Sequence, residues 1–174
     1  MPEPVEITKM RENCNDRDYV LNAVSNQGSL LDFAAENFKD DREIVLAAVD
    51  NNPEALEFAS DRLKCDRKIV YNSVSKVGWT YCYTGESLLE DKELLLSALK
   101  VSGQVLYYAS KKMRDDKEVV LEAVKNKGLI VKYASKRLRA DKEVATEAVK
   151  QNKKCYEFLE ESIKQDEDIK ALCE

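Results

Sequence analysis

Histidine is absent from the 174-residue chain. That absence removes the commonest general base, the usual partner of a nucleophilic serine or cysteine, and the commonest metal ligand together. Neither a GxxxxGKS/T nor a GxGxxG run occurs, so no phosphate-cradling loop is signalled. Glycine and proline are scarce, at five and three residues, and no Pro/Gly/Ser-rich linker interrupts the chain. No segment approaches the roughly 20 apolar residues that a membrane helix needs. The first ten residues carry Glu3 and Glu6 without an apolar core, so no signal peptide is expected. The five cysteines, Cys14, Cys65, Cys82, Cys155 and Cys173, form neither a CxxC pair nor an even framework. They read as reduced thiols packed as small hydrophobes in a cytoplasmic chain, or in one delivered into a host cell without a classical signal peptide. Catalytic residues, a cofactor and a bound metal are therefore not expected.

What the chain does have is charge and period. Charged residues make up 35% of it against 7% aromatic, with a net charge of −5. Dense charge with few helix breakers suits short amphipathic helices with solvated outer faces, and the acidic balance argues against a general nucleic-acid binder. Asp recurs every 25 residues, at Asp16, Asp41, Asp66, Asp91, Asp116, Asp141 and Asp166. With Asp as position 1, position 18 is always aromatic: Phe33, Phe58, Tyr83, Tyr108, Tyr133, Phe158. Position 23 is always apolar, and position 13 is Gly28, Gly78, Gly103 or Gly128, with Pro53 and Lys153 as exceptions. The expected architecture is all-α: an α-solenoid of six 25-residue helix-turn-helix repeats over 16–165, with capping helices in 1–15 and 166–174. It reads as a single domain and a monomer.

Each Asp is a natural N-cap, its carboxylate accepting orphaned first-turn N–H groups. Single carboxylates one repeat apart do not converge on an ion, so the row is not read as metal ligands. Apolar residues at positions 4, 5, 8 and 9 predict a first helix, and Gly at position 13 predicts its left-handed cap. A second helix is predicted to bury 16, 19 and 23 plus the aromatic at 18, and to expose 14, 17 and 21.

The opening Asp-Lys-Glu-Val-Val-Leu-Glu-Ala-Val of 116–124 and the second-half runs Tyr108-Ala109-Ser110-Lys111-Lys112-Met113 and Tyr133-Ala134-Ser135-Lys136-Arg137-Leu138 resemble a known family. These are the tandem helical repeats of bacteria, protists and some large viruses catalogued as a domain of unknown function. The resemblance covers 16–165 and implies the repeat fold, with no activity, cofactor or catalytic residue attached. Repeat 3 departs from the pattern, with Thr84-Gly85 where Ala-Ser is usual, placing Gly85 against propensity inside the predicted helix.

Two features point to a partner. The stripe at 14, 17 and 21 varies while the core repeats, and it holds the sole tryptophan, Trp79, with Tyr107 one repeat on and Lys111, Lys132 and Lys136 beyond. Exposed Trp and Tyr on a regular scaffold are typical interface anchors, though Trp79 folded onto a neighbouring loop gives the same pattern. Charge is also segregated: repeats 1 and 2 each sum to −3, repeat 4 to +2 and repeat 5 to +4. Lys111, Lys112, Arg114, Lys136, Arg137 and Arg139 form a basic cluster, readable as dipole complementation with solubility, as a site for an acidic segment, or as a nucleic-acid or phosphate site. The reading is a protein- or peptide-binding scaffold centred on repeats 3–5. Nucleic acid or a phosphate-bearing ligand at the basic patch is one alternative, and a purely architectural module another. No membrane partner is expected.

Overall fold

The computed structural model of the chain describes residues 4–173; residues 1–3 and Glu174 of the expected caps lie outside the described residues. The fold is an all-α tandem repeat, and no strand occurs among the described residues. Each repeat opens where the sequence places its aspartate. Asp41 accepts the N–H groups of Glu43 and Ile44 at 2.9 and 3.3 Å, and Asp66, Asp116 and Asp141 cap their own first turns alike. The helices behind them are Arg17–Asn26, Arg42–Asn51, Arg67–Val74, Lys92–Val101, Lys117–Asn126 and Lys142–Gln151. Positions 4, 5, 8 and 9 form the core stripe, as with Val119, Val120, Ala123 and Val124, all fully buried. Helices this short are marginal alone, so burial between neighbouring repeats holds them.

The second half of each repeat is not the single α-helix expected. It is a six-residue 3-10 helix (Gly28–Phe33, Pro53–Phe58, Gly78–Tyr83, Gly103–Tyr108, Gly128–Tyr133, Lys153–Phe158) followed by a short turn or one α-turn. Three residues per turn align positions 13, 16 and 19 on one face. That face is the core: Leu31, Leu56, Tyr81, Leu106 and Val131 are fully buried at 16, and position 15 is buried in every repeat as well. Position 18, expected in the core, is instead at the rim. The 3-10 helix ends there and position 19 turns to extended backbone, as Ala109 does at φ −66, ψ 151. Tyr108 and Phe158 remain 46% and 36% exposed, and Phe33, Phe58, Tyr83 and Tyr133 are half-buried.

The glycines at position 13 do not form left-handed caps, because no glycine among the described residues has positive φ. They admit the next repeat. A Cβ at Gly103 would stand 2.5 Å from the Ala123 carbonyl oxygen, and one at Gly128 2.8 Å from that of Ala148. The Gly103 N–H donates to Asn126 Oδ1 at 2.8 Å while Asn126 Nδ2 donates to the Lys100 carbonyl at 3.3 Å. Asn51 does the same for Gly28, Ser25 and Asn26. Carbonyls orphaned at one helix end are thus satisfied by a side chain of the following repeat.

The chain divides into two compact units, Met1–Leu88 and Leu89–Glu174. In the first, helix Val5–Glu12 packs on the repeat-1 3-10 helix with Met10 fully buried. In the second, helix Glu167–Cys173 packs on Lys142–Gln151 with Ile169 fully buried. The expectation that all five cysteines are packed holds for Cys155 only; Cys14, Cys82 and Cys173 are half-buried and Cys65 is exposed.

Two polar seams join consecutive repeats within each unit. At one, a position-2 cation meets the capping Asp of the next repeat: Arg17–Asp41 at 2.9 Å, Arg42–Asp66 at 2.7 Å, Lys92–Asp116 at 2.7 Å, Lys117–Asp141 at 2.8 Å and Lys142–Asp166 at 2.9 Å. At the other, the position-20 N–H donates to the position-24 carbonyl of the preceding repeat, as from Ser60 to Lys39 and from Ser135 to Arg114, both at 2.9 Å. There the Ser60 and Ser135 hydroxyls donate to Asp40 and Asp115.

The first seam sets an acid limit. Partial burial pushes the Asp141 carboxyl up, but the Lys117 ammonium and the N–H groups of Val144 and Glu143 outweigh it, so the group lies below its ordinary value. Asp41, Asp66 and Asp116 follow the same balance. A depressed folded pKa stabilises above the unfolded value of about 3.9 and is lost as pH falls through the folded one. The melting temperature is therefore expected to be flat above about pH 5 and to fall below about pH 4. Asp141→Asn should melt below the wild type at pH 7, with the gap closing by pH 2–3 in a calorimetric series. A gap that persists at low pH would remove ionisation from the explanation.

Candidate functional site

In the first unit, Trp79 is 40% exposed and rests edge-to-face on Tyr83 of its own repeat, with ring centroids 5.6 Å apart at 64°. Burial and then a hydrogen bond with Glu57 push the Tyr83 hydroxyl up to about 12, and burial and then Glu57 raise the Cys82 thiol. An open groove of 540 Å³ runs beside them, lined among others by Cys65, Cys82, Tyr83, Thr84, Gly85 and Glu86.

Gly85 lies outside any helix, contrary to its expected place within one. It sits at the repeat-2 to repeat-3 seam, its N–H donating to the Lys64 carbonyl at 2.9 Å. A side chain there would collide with Cys65 Sγ. In three seams a carboxylate at position 25 pairs with Ser at position 20: Asp40 with Ser60, Glu90 with Ser110 and Asp115 with Ser135. Here Cys65 and Gly85 replace both members together, so packing accounts for the repeat-3 departure.

In the second unit, the predicted residues separate into two groups. Tyr107 is 55% exposed and makes T-shaped contacts with Tyr108 and Tyr133, both at 5.0 Å between centroids. Lys132 Nζ lies 4.9 Å from the Tyr133 centroid and 6.0 Å from that of Phe158. Four rings from three successive repeats and one ammonium thus form a row fixed by edge-to-face and cation–π contacts. Lys111 and Lys136 are exposed and form no ion pair among the described residues.

The remaining cations of the expected cluster serve the seams. Lys112 pairs with Glu90 at 3.2 Å, Arg137 with Asp115 at 3.1 Å, and Arg139 with Glu160. Arg114 is half-buried, with Nε enclosed and without a hydrogen-bond partner. Sequence reasoning missed Tyr108, Tyr133 and Phe158 as surface groups because it assigned position 18 to the core. Among the described residues, no three His, Cys, Asp or Glu side chains gather as a metal would require. No helix there is long and apolar enough to cross a membrane.

Aspartate-capped helices, each followed by a 3-10 segment and joined at recurring polar seams, define an all-α tandem-repeat protein with a variable outer face. The model of a domain of unknown function, DUF4116, matches residues 16–64, 66–114 and 116–169, and the chain belongs to that family. Each match spans essentially two of the 25-residue repeats, so the family unit is a pair. No curated protein and no solved structure matches the chain.

Proposed function

We propose that the chain is a non-enzymatic protein- or peptide-binding repeat scaffold whose surface centres on repeats 4–6. The observation that carries this reading is the surface ring row Tyr108–Tyr107–Tyr133–Phe158, half-buried at Tyr133 and otherwise exposed, with Lys132 set into it. Aromatic side chains held rigid by one another present large contact area at little entropic cost, the property of binding anchors. Trp79 is a subsidiary anchor of the first unit.

Selection of a displayed peptide library on the immobilised full-length chain tests the reading, with counter-selection on a Tyr107→Ala, Phe158→Ala double variant. Enriched peptides should lose affinity at least about tenfold on the double variant while its melting temperature stays within a few degrees. Peptides that bind both forms equally, or no enrichment at all, would remove the ring row as a binding surface.

A second reading, nucleic acid or another phosphate-bearing ligand, draws support from exposed lysines of the same repeats. Its affinity would fall steeply with salt, whereas ring-anchored binding falls only mildly.

A further inference from the structure

Lysines without partners gather along one edge of repeats 4–6. Lys100, Lys125 and Lys150 occupy position 10 of successive repeats, with Lys127 at 12, Lys153 at 13 and Lys154 at 14. All six are exposed, and none forms an ion pair among the described residues. The seams of the same repeats, by contrast, neutralise their cations. In repeats 1–3 the corresponding edge carries Ser25, Asp50 and Ser75 at position 10, and its Lys76 pairs with Asp50 at 3.2 Å.

The helix dipole explains a cation at position 10 or 12, near a C-terminus, but not Lys153 and Lys154. These open a 3-10 helix, where the dipole disfavours positive charge. The edge is continuous because helices Lys92–Val101, Lys117–Asn126 and Lys142–Gln151 pack side by side. Asn126 Nδ2 and Gln151 Nε2 reach back to the Lys100 and Lys125 carbonyls at 3.3 and 3.0 Å.

Geometry links this edge to the ring row. The 3-10 helices begin at the lysine edge and end at the rings, about 10 Å away at roughly 2 Å of rise per residue. Packed helices stand about 8–10 Å apart, which sets the repeat-to-repeat spacing of the position-10 lysines and of the position-18 rings Tyr108, Tyr133 and Phe158, with Tyr107 filling the gap between the first two at 5.0 Å from each. A polyproline-II chain completes a turn every three residues, or about 9 Å. Carboxylates at every third residue would therefore meet successive lysine rows, and prolines on the adjoining edge would meet successive rings. A β-strand repeats its face at about 7 Å and slips out of step with the repeats. Resting on the peptide-binding reading above, we infer that repeats 4–6 bind an extended acidic, proline-rich segment with carboxylates at every third position.

The probe is a fluorescein-labelled Pro-Pro-Glu tetramer of twelve residues, titrated with the full-length chain by fluorescence anisotropy. It should bind at least about tenfold more tightly than a peptide of identical composition with its four Glu in one block. Lys125→Glu with Lys150→Glu should weaken it by about tenfold or more, and Tyr107→Ala should weaken it too, with melting temperatures little changed. Lys125→Gln with Lys150→Gln gives a milder loss if charge is responsible. Equal affinity for the blocked peptide, indifference to the lysine changes, or tighter binding of a twelve-nucleotide single strand each overturns the inference. Equal affinity that is nonetheless lost in Tyr107→Ala sinks the three-residue register alone and leaves the scaffold reading standing. Library selection that fails on the ring row sinks both.

Discussion

Replacing Tyr81 with alanine is expected to destabilise the protein by about 3–5 kcal/mol, whereas Tyr108→Ala should cost less than about 1 kcal/mol. Both tyrosines lie in 3-10 helices, two positions apart in the repeat, and both come from the same aromatic-rich pattern. Tyr81 sits at position 16, on the line that three residues per turn direct into the core, and its side chain is fully buried. Truncation there removes most of a large buried ring and leaves a cavity that close-packed neighbours fill only partly. Tyr108 closes its 3-10 helix at position 18 and is 46% exposed, with one face already in water. For a chain of this size each kcal/mol moves the melting temperature by roughly 2–4 °C, so Tyr81→Ala should melt about 10 °C lower. Urea unfolding of both variants decides the matter. Equal losses would return position 18 to the core and take the ring row away from the surface.

The contrast between positions 16 and 18 also shows where a sequence stops being legible. Periods of 3.0 and 3.6 residues agree over a single turn, so spacings of three and four located 16, 19 and 23 in either geometry. The sequence reading leaves out position 15, although it lies four residues before 19 and shares its face in an α-helix, and it assigns position 18 to the core, where the 3-10 helix instead closes at the rim. Nothing in a six-residue segment distinguishes the two periods, and packing against neighbouring repeats selects the tighter one. The first helices suffer no such ambiguity, since an aspartate cap and two turns of apolar stripe fix them locally.

The candidate site was legible in its outward residues and not in its electrostatics. Trp79, Tyr107, Lys111, Lys132 and Lys136 are exposed as the 14, 17 and 21 stripe requires. Lys112, Arg137 and Arg139 looked equally available, yet their partners stand 21–22 residues away, beyond any helical pattern. The repeats themselves carried that information in paired form. Asp40 goes with Ser60, Asp115 with Ser135, and Cys65 with Gly85, so a change on one side of a seam is matched on the other. Comparing position 25 of one repeat with position 20 of the next would have exposed the seam, and with it the reason for Gly85.

Alanine at the position-13 glycines should destabilise in a fixed order, most at Gly28, less at Gly103 and least at Gly128. A Cβ at Gly103 would stand 2.5 Å from the Ala123 carbonyl oxygen, a backbone atom in the last turn of the neighbouring helix. At Gly128 the corresponding distance is 2.8 Å, and the other close atoms belong to the Gln151 and Cys155 side chains. At Gly28 the added carbon would lie nearest of all to its backbone oxygen, that of Ala48. Overpacking of this kind costs about 1–3 kcal/mol, and more where backbone cannot yield. The repeats must then separate, which stretches the hydrogen bonds from Gly28 to Asn51 and from Gly103 to Asn126. Asparagine separates this account from the helix-cap account. A left-handed cap tolerates Asn nearly as well as Gly, whereas a close contact penalises Asn more than Ala because the side chain is larger. Gly103→Asn is therefore expected to melt below Gly103→Ala. The reverse order would mean that conformation, not space, keeps glycine where one repeat meets the next.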